Sequence, residues 1–153
     1  MRNIYRAGKN LENIVSGERV TQTFTASSAF DCILVQGYLK NGEVSDGGCQ
    51  VEIQDETGKI LVSTFLTAQQ IAENQLDLSF EPVVPEKETD YTIVIEPRGI
   101  RKDHALQLYR FNSSMDLYPN GKLSRNGKEE NGNLIFSVYQ IKTGTIFRRN
   151  FGK

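Results

Sequence analysis

Short runs of alternating apolar and polar residues recur along this chain, and glycine, proline and asparagine clusters separate them. Period-two alternation bounded by such clusters predicts β-strands. The clearest case is Gln75–Phe80, where Leu76, Leu78 and Phe80 alternate with Gln75, Asp77 and Ser79. Val20–Ala26 sets Val20, Gln22 and Phe24 on one face. Phe30–Lys40 is apolar on both faces and reads as a central strand ending at Asn41-Gly42. Cys49–Gln54 points Cys49, Val51 and Ile53 inward, and Asp55–Gly58 turns the chain into Lys59–Leu66. Tyr91–Glu96 (Ile93 and Ile95 inward), Ala105–Phe111 and Leu134–Ile141 complete about eight strands, with a minor one near Lys122–Arg125.

A single short helical turn is expected at Thr67–Asn74, where Thr67 and Gln70 have the spacing of a capping box and Ile71 points into the core. Pro82 and Pro85 end the strand before them. Asn120-Gly121, Asn126-Gly127 and Asn131-Gly132 fall close together between Ser113 and Tyr139. Asn-Gly accepts the positive φ of tight hairpin turns, so this stretch reads as hairpins. Many short strands with one small helix predict an all-β fold, a two-sheet antiparallel sandwich of the jelly-roll, galactose-binding-like kind. The domain is expected over residues 18–141, with 1–17 as an N-terminal extension and 142–153 as a C-terminal tail. Both ends look peripheral, as in one module of a longer polypeptide.

Composition narrows the partners. The chain has 153 residues, enough for one domain with a real core, and its 18 basic and 19 acidic residues nearly balance. A net charge of −1 gives no electrostatic reason to expect nucleic acid. No apolar run is long enough to span a membrane, and the N-terminal MRNIYRAGKNLENIV lacks the apolar stretch of a secretory signal. The cysteines, Cys32 and Cys49, are too few for a disulfide framework and sit inside apolar strand patterns, as buried thiols do. One bridge between neighbouring strands is the alternative in an oxidising compartment.

Catalytic signals are thin. His104 is the only histidine, so any Ser-His-Asp or Cys-His arrangement must use it, and no G-x-S-x-G elbow is present. Gly47-Gly48 opens a strand rather than a helix and is no phosphate cradle. The acidic residues lie mostly in turns, as a solvated surface does. Zinc spacing is missing, and no cofactor is expected. A structural calcium ion is a weaker expectation, for which Asp31, Asp46 and Asp116 are the candidates.

A binding surface remains. Sugar recognition sets an aromatic ring on the apolar face of the sugar and planar polar groups on its hydroxyls. Tyr109 falls opposite the core pair Leu106 and Leu108, on an outward face with Gln107 and Phe111. Arg110 is adjacent, and Tyr118, Asn120, Arg125 and Asn126 come from the loops that follow. The expected ligand-binding residues are Tyr109, Arg110, Tyr118, Asn120 and Arg125.

Several motifs resemble those of β-sandwich, jelly-roll accessory modules of bacterial proteins that make or contact surface polysaccharide, some fused to glycosyltransferases. They are Gln22-Thr23-Phe24-Thr25-Ala26, Asp55-x-x-Gly58-Lys59, Ala72-x-Asn74-Gln75, Tyr91-Thr92-x-x-Ile95, Asp116-x-Tyr118-Pro119-x-Gly121, Asn126-Gly127 and Leu134-x-Phe136-x-Val138-Tyr139, over roughly residues 18–141. The resemblance implies a non-catalytic, carbohydrate-binding-module-like role beside a fused or partner glycosyltransferase domain. This chain carries no Asp-x-Asp nucleotide-sugar site of its own. Two other readings stand beside it. One is a structural or protein-interaction sandwich, with Tyr38, Phe65, Tyr139 and Phe147 as an apolar patch. The other is a jelly-roll glycan hydrolase or lyase with paired acids or His104 across a cleft.

Overall fold

The computed structural model describes residues 10–40, 47–71, 74–111, 121–140 and 147–149. Its strands are β1 (Leu11–Ile14), β2 (Val20–Ala26), β3 (Phe30–Leu39), β4 (Gly48–Gln54), β5 (Ile60–Thr67), β6 (Gln75–Val83), β7 (Thr89–Arg98), β8 (Leu106–Leu108), β9 (Leu123–Arg125), β10 (Lys128–Glu130), β11 (Phe136–Gln140) and β12 (Phe147–Arg149). Two 3₁₀ turns, η1 (Ala68–Ile71) and η2 (Lys102–His104), interrupt them.

All pairings are antiparallel and fall into two sheets. One sheet holds β1, β8 and β3 in that order, with β6, β11 and β12 joined through β3; the other runs β10-β9-β2-β7-β4-β5. The first eight strands therefore pass from sheet to sheet except at the β4–β5 hairpin, giving β1-β8-β3-β6 in one sheet and β2-β7-β4-β5 in the other. That is a jelly-roll sandwich. On β3, Gln36 receives two strands at one point. Its N–H donates to Ile135 and its carbonyl accepts from Tyr109, so β11 and the end of β8 meet along one edge.

Alternation explains why these residues form these strands. On β2, Val20, Gln22, Phe24 and Ala26 are buried, and the threonines between them are half-buried on the outer face. Phe24 lies 5.6 Å from Phe30 edge-on and 5.6 Å from Tyr91 in a stack, and 6.0 Å from Phe136. Phe24 and Tyr91 belong to one sheet, Phe30 and Phe136 to the other. This aromatic cluster joins the sheets, each pair adding about 0.5–1.5 kcal/mol beyond simple burial.

Local turn chemistry holds as well. Thr67 and Gln70 form the expected capping box: Gln70 Oε1 accepts from the Thr67 N–H at 2.8 Å, and Thr67 Oγ1 from the Gln70 N–H at 3.4 Å. Ile71 is fully buried. Asn126 and Gly127 have φ of 54° and 81° and join β9 to β10, with Arg125 facing Lys128 across a two-residue loop. The strands read from alternation correspond to β2–β8 and β11, and the minor one to β9. β1, β10 and β12 are additional. β1 lies in the stretch read as an extension and β12 in the stretch read as a tail.

Candidate functional site

Strand alternation on β3 turns Ile33, Val35, Gly37 and Leu39 to the core and Cys32, Leu34, Gln36 and Tyr38 to the outer face. Opposite Gly37 and Leu39, β8 sends Leu108 and Leu106 to the core, both fully buried. Tyr109 continues β8 by donating its N–H to Gln36 at 3.1 Å, and so falls on the outer face beside Tyr38. The two rings sit 5.7 Å apart, tilted by 40°. Ser137 and Tyr139 of β11 extend the same face opposite Leu34 and Cys32. Tyr38, Tyr109 and Tyr139 are half-buried, and Gln36 is exposed.

Gln107 departs from expectation. It shares the outer face but is only 5% exposed, because it pairs with Tyr38 and its amide folds back to donate to the Ala105 carbonyl at 3.2 Å. Phe111 is half-buried, its N–H bonded to the Asn133 carbonyl.

The two arginines are clamps. Arg110 pairs with Leu134 in an isolated bridge, and its Nη1 donates to Glu130 Oε1 at 3.0 Å and the Asn131 carbonyl at 3.3 Å. Arg125 donates from Nε to Glu18 Oε1 at 2.7 Å, from Nη1 to the Glu12 carbonyl at 2.8 Å and from Nη2 to the Asn13 carbonyl at 3.1 Å. Each guanidinium spans from one sheet to the other. Asn126 Oδ1 accepts from the Arg19 N–H, and its Nδ2 donates to Glu18. The structure thus sets Tyr109 and Arg110 side by side in sequence but on different tasks, and places Arg125 at the β1 margin. Tyr118 and Asn120 lie outside the described residues.

Tyr38 is the residue of this face that the sequence reading did not join to Tyr109. The signal was available: Tyr38 shares the parity of Cys32, Leu34 and Gln36 on a strand apolar on both faces.

The groups considered for chemistry are dispersed. Cys32 lies on β3 and Cys49 on β4, in different sheets, and both thiols are free and buried. Burial, with the Asp77 carboxylate beside it, pushes the Cys32 thiol up to about 11. Burial alone pushes Cys49 up to about 12. Neither is a thiolate near neutral pH, so neither is a poised nucleophile. His104 sits in η2 with Nε2 3.8 Å from Asp103, and its buried Nδ1 has no hydrogen-bond partner. Asp31 is buried, while Asp46 and Asp116 lie outside the described residues. Among the described residues no group of three or more His, Cys, Asp or Glu is placed to hold a metal ion. Among them, too, no helix is long and apolar enough to cross a membrane.

No protein-family model matches the chain, and neither does any curated protein.

Proposed function

We propose that this domain is a non-catalytic carbohydrate-binding module that recognises or positions a bacterial glycan, as part of a longer glycosyltransferase or surface protein. The observation that carries the reading is the tilted Tyr38–Tyr109 pair on the outer face of the β8-β3 sheet. Such rings offer apolar faces to the C–H surface of a sugar, and the exposed Gln36 supplies an amide for its hydroxyls. Tyr118 and Asn120 follow Phe111 closely in sequence and belong to the same proposed site. In this reading Arg110 and Arg125 hold the framework on which the site rests. A shallow sheet face excludes little water, so affinity is modest.

The test is a glycan-array screen of the purified chain beside its Tyr109→Ala and Tyr38→Ala variants. Selective binding lost in both variants, with unchanged far-UV circular dichroism, is the expected result. A silent array from a folded, monodisperse protein would sink the reading.

A second reading, a protein-interaction sandwich without a sugar ligand, is favoured by a separate observation. Three exposed large hydrophobic residues, Ile60, Leu61 and Phe65, belong to the one strand β5.

A further inference from the structure

We propose that the chain self-associates through the open edge of β5, a second copy pairing its own β5 antiparallel so that two sandwiches share one continuous sheet. The proposal rests on the protein-interaction reading and is independent of the glycan reading.

Among the described residues β5 ends its sheet, pairing with β4 alone. Its sequence, ILVSTFLT, contains no charged residue and no proline, the usual guards of an exposed edge. Ile60 is 51% exposed, Leu61 37% and Phe65 42%. Among the described residues the one other exposed large hydrophobic is Val84.

The ladder decides which backbone groups are open. The Ala68 N–H donates to the Gly47 carbonyl, so Ala68 directs its backbone at the β4 side. Alternation then turns Leu66, Thr64 and Val62 towards β4, and Thr67, Phe65 and Ser63 away from it. The Thr67 N–H is taken by Gln70 Oε1. At the other end Ile53 pairs with Val62 but Gln54 with Ile60, which leaves Leu61 as the extra residue of a bulge. Ser63 and Phe65 remain, each with its N–H and C=O directed at the open edge.

Those groups complement themselves. In a two-fold antiparallel pairing about Thr64, Ser63 of one copy faces Phe65 of the second, and each facing pair exchanges both main-chain bonds. A register centred on Ser63 would instead set Phe65 against the bulged Leu61. The flanks agree as well. Lys59 of one copy falls near Gln69 of the other, so the antiparallel register keeps like charges apart. An edge contact this short buries little surface, so the dimer is weak and concentration-dependent.

Sedimentation equilibrium on the full chain tests this. The expected mass rises with concentration from 17.2 kDa towards twice that value. Ser63→Pro should stay monomeric with unchanged circular dichroism, because the N–H it removes is one that β4 does not use. The double variant Ser63→Lys with Phe65→Lys should also stay monomeric. Ser63→Lys with Phe65→Glu should self-associate again, in a salt-sensitive way, since the new charges face each other across the two-fold axis.

A chain that remains at 17.2 kDa up to about 1 mM overturns the proposal and the protein self-interaction with it. A dimer that Ser63→Pro and the Lys/Lys variant both retain overturns the β5 edge but leaves self-interaction standing. Unfolding of Ser63→Pro shows that its N–H is held inside the sheet, which also overturns the proposal. Failure of the Lys/Glu variant to reassociate overturns the Thr64-centred register.

Discussion

Gln22 shows how one polar side chain can join two sheets. Alternation on β2 sets it between Val20 and Phe24 in the core, where an unpaired amide would be strongly unfavourable. It is fully paired instead. Its Nε2 donates to Asn133 Oδ1 at 2.7 Å and to the Thr23 carbonyl at 2.9 Å, and its Oε1 accepts from the Leu134 N–H at 2.8 Å. Gln22→Leu keeps roughly the shape but takes that acceptor from a buried N–H. Urea unfolding should show a loss of about 1–3 kcal/mol, against under about 0.5 kcal/mol for Gln50→Leu on the half-exposed outer face. The same reasoning gives the thiols their chemistry. With Cys32 held up at about 11 and Cys49 at about 12, a thiol-specific reagent near neutral pH should label the native chain far more slowly than the urea-unfolded chain. Equal rates would show that the strands open readily.

Among the elements, β1 marks where the sequence pattern stops being readable. A period-two reading puts Leu11 and Ile14, three positions apart, on opposite faces. In the structure both are buried, because Asn13 takes a φ of 58° and the register with β8 slips between them. The resulting bulge re-aims Ile14 into the core, so alternation alone cannot find this strand. Where the ladder stays in register, alternation served well: β2, β4 and β7 carry the inward residues that their patterns dictate, and so does β6 ahead of the register shift with β3 that lies between Ser79 and Val83. β10, with the sequence KEE, offers no apolar residue to alternate, and only the Asn126-Gly127 turn announces it. The site follows the same division. Tyr109 was legible as outward because Leu106 and Leu108 fix its parity. The tasks of Arg110 and Arg125 were not, since Glu130 and Glu18 lie 20 and 107 positions away in the chain. Ile14→Ala should cost about 2–5 kcal/mol, the range for emptying a packed core position. A near-neutral result in thermal or urea melts would show that β1 lies loosely on the sheet.

At the scale of the whole molecule, one margin of the sandwich is closed by charge. Arg110 leaves the end of β8 in one sheet for Glu130 on β10 in the other, and Arg125 leaves β9 for the carbonyls of β1 and for Glu18. Apolar packing sets the distance between the sheets, and these clamps fix the edges where each sheet runs out of strands. Glu18 is the group whose titration reports on them. Burial would raise its pKa, but the Arg125 hydrogen bond, the Val15 N–H, the Arg125 charge and the Asn126 amide together hold it below its ordinary 4.5. A carboxyl whose pKa is lower folded than unfolded adds stability above the unfolded value, and that stability is lost as pH falls through the folded value. The clamp therefore acts fully at neutral pH and weakens on acidification below 4.5. Glu18→Gln keeps the shape and removes the charge, and should lower stability by about 0.5–1 kcal/mol at pH 7. As pH falls below 4.5, the melting temperatures of variant and wild type should converge. A gap that stays constant through that range would mean that Glu18 acts through its shape, and that the margin is held by packing rather than by charge.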